Sequence, residues 1–245
     1  MSLSETDFSK LYLLQDKFLS WWATLGFRFY LTGGTALGRF YLQHRYSEDL
    51  DFFVNNDAHY NQYIRAFRKL IPDHFQIDMN QALFTDDFAR FFISDGDISL
   101  KVELINDVGY YAGNPVGYKY GLIDTPLNIL ANKLLAVTGR DEPKDICDIL
   151  HIAYNYRFNW REIFIHAKQK AVVNELDIAQ RLSDFPTDWL SGIKWIISPS
   201  APEIISKHIR TIADDFLLGA DNSLGAGRIP IEKALPLEKY RGSLS

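Results

Sequence analysis

Cysteine is nearly missing from this chain of 245 residues: Cys147 is the only one. An intrachain disulfide framework and a CxxC metal centre are thereby excluded. A reducing, cytoplasmic compartment is the expected setting. Long apolar runs are also missing, since the stretch from Leu50 to Val54 is short and carries Asp51. The polar, acidic start from Met1 to Asp7 is unlike a signal peptide. No membrane partner is expected, and internal repeats and low-complexity tracts are absent. Excess positive charge is lacking too: 26 Lys+Arg against 31 Asp+Glu give a net −5. Binding of nucleic acid by the whole surface is therefore disfavoured, although a local basic patch is not. Aromatic residues, in contrast, are plentiful at 14%. The chain has the apolar surface needed to offset the entropy of ordering.

Apolar periodicity predicts a helix over 7–24, a strand over 27–31 broken by Gly33-Gly34, and a helix over 35–44. A strand over 49–54 and a helix over 58–70, stopped by Pro72, follow. Segments 75–84, 88–93 and 98–105 read as strands, with Asp95-Gly96-Asp97 as the turn between the last two. From Thr125 the pattern turns helical, over 125–138, 143–156, 160–170, 174–182 and 202–218. Trp189 and Trp195 read as helical core. Residues 219–245 read as an extended tail, docked or loose. Gly113, Pro115, Gly117 and Gly121 mark a boundary. The expected organisation is thus an α/β domain over 1–120 and a helical domain with an extended tail over 121–245, of α+β class.

Four segments carry chemistry. In Leu31-Thr32-Gly33-Gly34-Thr35 a strand gives way to a helix through two glycines. Such a junction lets backbone approach a ligand, and the helix start suits phosphate; a purely structural turn is the bland alternative. In Ser47-Glu48-Asp49-Leu50-Asp51, the two aspartates share one strand face, with Cα atoms about 6–7 Å apart. Their repulsion would be relieved by an oxygen-preferring divalent cation such as Mg²⁺, unless the strand end is simply solvated. Glu103 shares a face with Lys101 and Ile105. It is either a third metal-binding carboxylate, with Asp107 as rival, or an edge-strand residue paired with Lys101. Lys133, Ala136 and Arg140 share a helical face, and Lys144, Asp145 and Asp148 open the next helix. These cations suit phosphates or an ion-paired surface.

Together, Leu31-Thr-Gly-Gly-Thr-Ala-Leu37, His44-Arg45-Tyr46-Ser47-Glu48-Asp49-Leu50-Asp51-Phe52, and Lys133…Arg140…Lys144-Asp145…Asp148 resemble one family. They look like the AbiEii/AbiGii toxin-type nucleotidyltransferases of the polymerase-β-like superfamily, over about residues 25–155. The resemblance implies a nucleotidyltransferase fold, a mixed sheet flanked by helices, followed by a C-terminal helical bundle. It implies transfer of a nucleoside monophosphate from an NTP to a hydroxyl of RNA (tRNA) or protein, by a toxin-like effector with a cognate antitoxin. Transfer to a small molecule and a non-catalytic nucleotide-binding module are the alternatives. Asp49, Asp51 and Glu103 would hold Mg²⁺ (or Mn²⁺), with Glu103 also the general base. Gly33, Gly34 and Thr35 would hold the phosphates, and Lys133 and Arg140 the triphosphate. Lys144 and Asp145 would belong to the functional motif, Asp148 would orient it, and Arg45 would brace the aspartate strand. Any RNA contact calls for a basic strip, with Lys168 and Lys170, or Arg65, Arg68 and Lys69, as candidates.

Overall fold

A computed structural model describes residues 5–197 and 199–237. Helix α1 (Glu5–Trp22) precedes strand β1 (Tyr30–Thr32), helix α2 (Gly33–Phe40), strand β2 (Leu50–Asn55) and helix α3 (Tyr60–Leu70). Strands β3 (Gln76–Ile77), β4 (Leu83–Phe84), β5 (Phe88–Asp95), β6 (Ile98–Asp107), β7 (Val116–Tyr118) and β8 (Gly121–Ile123) follow. Helices α4 (Pro126–Gly139), α5 (Pro143–Asn155), α6 (Trp160–Lys170), α7 (Glu175–Ser183) and α8 (Pro202–Leu218) make up most of the remainder. Strands β9 (Tyr156–Arg157) and β10 (Ile229–Pro230) form a small parallel pair. No described helix is long and apolar enough to cross a membrane.

The main sheet runs β3-β5-β6-β2-β1-β8-β7, with β4 also paired to β5. It is mixed: β2 lies parallel to β6 and antiparallel to β1. Strict alternation explains its two faces. Leu50, Phe52 and Val54 on β2, Val102 and Leu104 on β6, and Ala89 and Phe91 on β5 are buried. Aromatic side chains of α1 and α3 cover that side: Phe18 packs on Phe52 and Phe91, Trp22 on Phe52, and Phe67 on Phe91. The opposite face carries Asp51, Phe53, Glu103, Ile105, Phe88, Arg90 and Phe92, all half-buried. Helix α4 reaches this face at the β1–β2 side, where Ile129 and Lys133 meet Asp51 around one pocket. Helix α4 also packs against α5, α6 and α7.

Several local expectations shift for physical reasons. The 75–84 stretch yields only two strands of two residues. Between them Asp78 accepts from Asn80 N–H and Gln81 Nε2, a side-chain turn that competes with the ladder. The glycine- and proline-rich boundary is a hairpin, β7–β8, and β8 pairs parallel with β1. The sheet therefore continues to Ile123, beyond residue 120. Trp189 lies in a short 3-10 turn and is half exposed, and Trp195 lies outside any helix, so neither is helical core. The tail is docked as far as residue 237: Ile231 and Ala234 are buried, and Leu237 N–H donates to Phe40 O at 2.7 Å. Residues 238–245 of the expected tail lie outside the described residues.

Candidate active site

Register brings the acidic residues together. Asp51 and Glu103 are direct partners across the parallel β2–β6 pair, and Thr32 faces Asp51 across β1–β2. Glu103 is thus on an interior strand, not an edge, although it does lie 3.5 Å from Lys101 Nζ. Arg90, its partner on β5, donates from Nε to Glu103 Oε1 at 2.6 Å. Asp49 stands just before β2 and lies 3.0 Å from Lys101 Nζ. Asp107, the rival carboxylate, sits further along β6 opposite Asn55 and lies 3.9 Å from Lys170.

Gly33 is at φ +68°, where only glycine is comfortable, and a Cβ there would stand 2.7 Å from Asp51 Oδ2. The turn thus brings the start of α2, with its free N–H groups, directly onto the carboxylate. Gly34 is needed for a different reason: its Cβ would stand 2.2 Å from Arg45 Nη2. Thr35 is buried, and its hydroxyl donates to the Asp49 carbonyl, bracing the aspartate strand. Gly34→Ala is expected to push Arg45 off its partner and cost about 1–3 kcal/mol. Urea unfolding checks this; an unchanged midpoint would count against the close contact.

A pocket of about 280 Å³ opens between the sheet and α4. Gly33, Gly34, Asp51, Glu103, Lys133 and Arg140 line it together, with Ala136 on the same helical stripe. Thr32, Asn132, Ile129, Phe53 and Ile105 complete the wall. Sequence reasoning missed these last four, although Phe53 and Ile105 follow Asp51 and Glu103 at the period of two. Asp49, Thr35, Lys144 and Asp145 are not lining residues. Lys144 lies 3.7 Å from Glu48 at the start of α5.

Beneath the pocket lies a buried ion network. Lys133 Nζ is 2.6 Å from Asp145 and 2.7 Å from Asp148. Arg140 donates to both Asp145 oxygens, at 2.7 and 3.0 Å. Asp148 also accepts from Arg45 at 2.6 and 2.8 Å and bonds His44 Nε2 at 2.8 Å. Burial pushes Asp148 upward, but Arg45 and Lys133 outweigh it and hold the carboxyl well below the usual range. Asp145 is lowered as well, since Lys133 and Arg140 overcome its burial. Lys170 is buried against Tyr110 O, so it forms no surface strip with Lys168.

Asp51 behaves oppositely. Burial, then the neighbouring charges of Asp49 and Glu103, push it up to about 7. Among the described residues no three His, Cys, Asp or Glu side chains converge closely enough to hold a metal ion as they stand. Lys101 supplies the positive charge between Asp49 and Glu103 instead. In kind, the residues fit a hard divalent cation: three carboxylates on one sheet face, one of them costly to ionise without a counter-charge.

Comparisons with known proteins bear on the fold and the family. Two solved structures from Helicobacter pylori share 21% and 22% identity with this chain, with TM-scores of 0.58 and 0.55. They cover 88% and 89% of it, and 96% and 94% of the matched chains. MenT4, a nucleotidyltransferase toxin from Mycobacterium tuberculosis, is 15% identical with a TM-score of 0.53, over 86% of this chain and 84% of that one. These likenesses show the fold. No curated protein matches. The family model described as nucleotidyl transferase AbiEii toxin, type IV TA system, matches residues 20–223, from the end of α1 to beyond α8. The chain therefore belongs to the AbiEii family of nucleotidyltransferase toxins of type IV toxin–antitoxin systems.

Proposed function

We propose that this chain transfers a nucleoside monophosphate from an NTP to a hydroxyl of RNA, such as tRNA, or of a protein, and that a cognate antitoxin restrains it. The observation that carries the reading is the register pair Asp51–Glu103 placed against Gly33 at the mouth of a pocket whose opposite wall is Lys133 and Arg140. The triphosphate lies along the start of α2 and the cationic stripe of α4. The side chain of Arg140 is 60% exposed, so it can exchange Asp145 for a phosphate, while the more buried Lys133 keeps Asp148. Asp145 and Asp148 are positioning residues in this reading. The acceptor oxygen attacks the α-phosphorus, its proton passes to Glu103, and pyrophosphate leaves with the bonding electrons.

Asp49, Asp51 and Glu103 would hold Mg²⁺ or Mn²⁺. Such an ion would supply charge stabilisation to the phosphoryl oxygens and align the attacking and leaving atoms. The test is incubation of the purified chain with Mg²⁺, each labelled NTP in turn, and total tRNA or cell protein. Label entering one of the two macromolecular fractions is expected. No labelling of either with any NTP and either metal would sink the reading.

A further inference from the structure

The carboxylate face holds a cation of its own. Asp51 faces Glu103 across the parallel β2–β6 pair, and Asp49, one residue ahead of the Leu50–Val102 pair, comes opposite Lys101. The period of two therefore sets Asp49 and Asp51 on one strand against Lys101 and Glu103 on the other. Lys101 Nζ lies 3.0 Å from Asp49 Oδ2 and 3.5 Å from Glu103 Oε1, so the ammonium spans the gap between these two carboxylates. Arg90 differs: it meets Glu103 Oε1 through Nε at 2.6 Å and forms no ion pair with either aspartate among the described residues. The Lys101 side chain is 29% exposed and does not line the pocket. The acids around it do not converge as a metal cage while it stands among them.

From this geometry we infer that Lys101 is the resident counter-ion of the metal site: it holds Asp49 and Glu103 in the metal-free protein and withdraws when a divalent cation is ligated. The inference rests on the reading of Asp49, Asp51 and Glu103 as metal ligands. Three carboxylates on one face repel, so a cation beside them is favourable in either state. A lysine suits a temporary place there. Its ammonium is a compact point charge on a flexible stem, and an ion pair this exposed is weak enough to exchange. Withdrawal needs only a side-chain rotation toward solvent, with β6 left in register. An ion such as Mg²⁺ takes oxygens at short range. The ammonium already holds the Asp49 and Glu103 oxygens, so the two cations compete for the same groups. Arg90 touches Glu103 alone and stays where it is. Competition of this kind lowers the apparent metal affinity by the fraction of time the site is free; a site free about one-tenth of the time binds about tenfold more weakly. Lys101 thus sets the divalent-ion concentration at which the site fills.

Mn²⁺ binding to the full chain without nucleotide, followed by the EPR signal of the free ion, tests this. Binding that disappears in Asp51→Asn marks the site in question. Lys101→Gln, which removes the charge and keeps a polar side chain, is expected to tighten that binding by about tenfold. Lys101→Arg, which keeps the charge, should bind as weakly as the parent. A second readout follows the amine itself: a brief pulse of acetic anhydride at fixed pH, with acetylation of Lys101 measured by mass spectrometry. Saturating Mg²⁺ should raise this labelling by up to about tenfold in the parent and leave it unchanged in Asp51→Asn. A lysine that stayed in place beside the metal would become no more accessible. Equal Mn²⁺ affinity in the parent and Lys101→Gln would overturn the exchange and leave the metal reading standing. So would a Lys101→Arg variant as tight as Lys101→Gln, or labelling that Mg²⁺ lowers or leaves unchanged in the parent. Mn²⁺ held at this site by neither the parent nor Lys101→Gln would end both readings.

Discussion

Asp51→Asn is expected to lower nucleotidyl transfer by about three orders of magnitude, the scale of several kcal/mol of lost charge stabilisation at the phosphoryl group. The same substitution is expected to raise the melting temperature of the metal-free protein. The two effects have one cause. Asp51 lies beside Asp49 and Glu103 on a partly dry face, and its carboxyl is pushed up to about 7. Its unfolded value is about 3.9. A group raised on folding contributes fully below its unfolded value, and that contribution is lost as pH rises through its folded value. The metal-free protein should therefore lose stability between about pH 4 and 7 from this site. Asparagine removes the unfavourable charge and keeps the shape. Added Mg²⁺ should raise the melting temperature of the parent chain at neutral pH, and the variant should respond much less. Thermal melts with and without Mg²⁺, next to a transfer assay, decide the matter. A variant that melts lower than the parent and still transfers would contradict the assigned role.

Asp148→Asn is expected to cost about 3–5 kcal/mol of stability. Asp148 is fully buried and holds Arg45, Lys133 and His44 at 2.6 to 2.8 Å. Removing its charge leaves the buried Arg45 without a counter-ion and Lys133 with Asp145 alone. Because folding lowers the Asp148 carboxyl, its contribution is present above the unfolded value of about 3.9 and is lost as pH falls further. The neighbouring histidines act earlier. Burial lowers His44, and it lowers His151 to about 3, so both fold neutral. Their contribution is full above about 6.5 and declines as pH falls through that value. Acid weakening should thus begin near pH 6.5 and steepen below about 4. Urea midpoints from pH 7 to pH 4 test this in the Asp51→Asn background, where the opposing Asp51 contribution is absent. A flat profile down to pH 5 would rule out the neutral histidines. Arg45 also presses on Gly34, so Asp148→Asn should bind NTP more weakly as well.

Much of the fold was legible because period and punctuation agreed. The helices 160–170 and 202–218 end where they were expected, Asn159 caps the first of them, and Gly219 adopts φ +59° after the second. Alternation on 49–54 and 98–105 placed Asp49, Asp51 and Glu103 on matching faces, and helical spacing placed Lys133, Ala136 and Arg140 on one stripe. Short strands escaped notice. Val116–Tyr118 and Gly121–Ile123 have too few residues for a pattern, and their glycines read as a break. The buried Asp124 shows the same limit: it accepts from Thr32, Tyr111 and Asn128, partners that no local pattern marks.

By itself, the sequence determined the chemistry on offer: three carboxylates with strand spacing, two glycines at a strand–helix junction, and cations at helical spacing. It did so because side-chain identity and backbone period are local properties. Only the tertiary structure decided which groups meet. Strand register put Glu103, and not Asp107, opposite Asp51. The packing of α4 and α5 spent Lys133 and Arg140 on Asp145 and turned Asp148 into the anchor of Arg45. The order of strands left Phe88, Arg90 and Phe92 on an open face beside the carboxylates. Such pairings depend on strand register and helix packing between segments as far as 103 residues apart, and no local pattern encodes them.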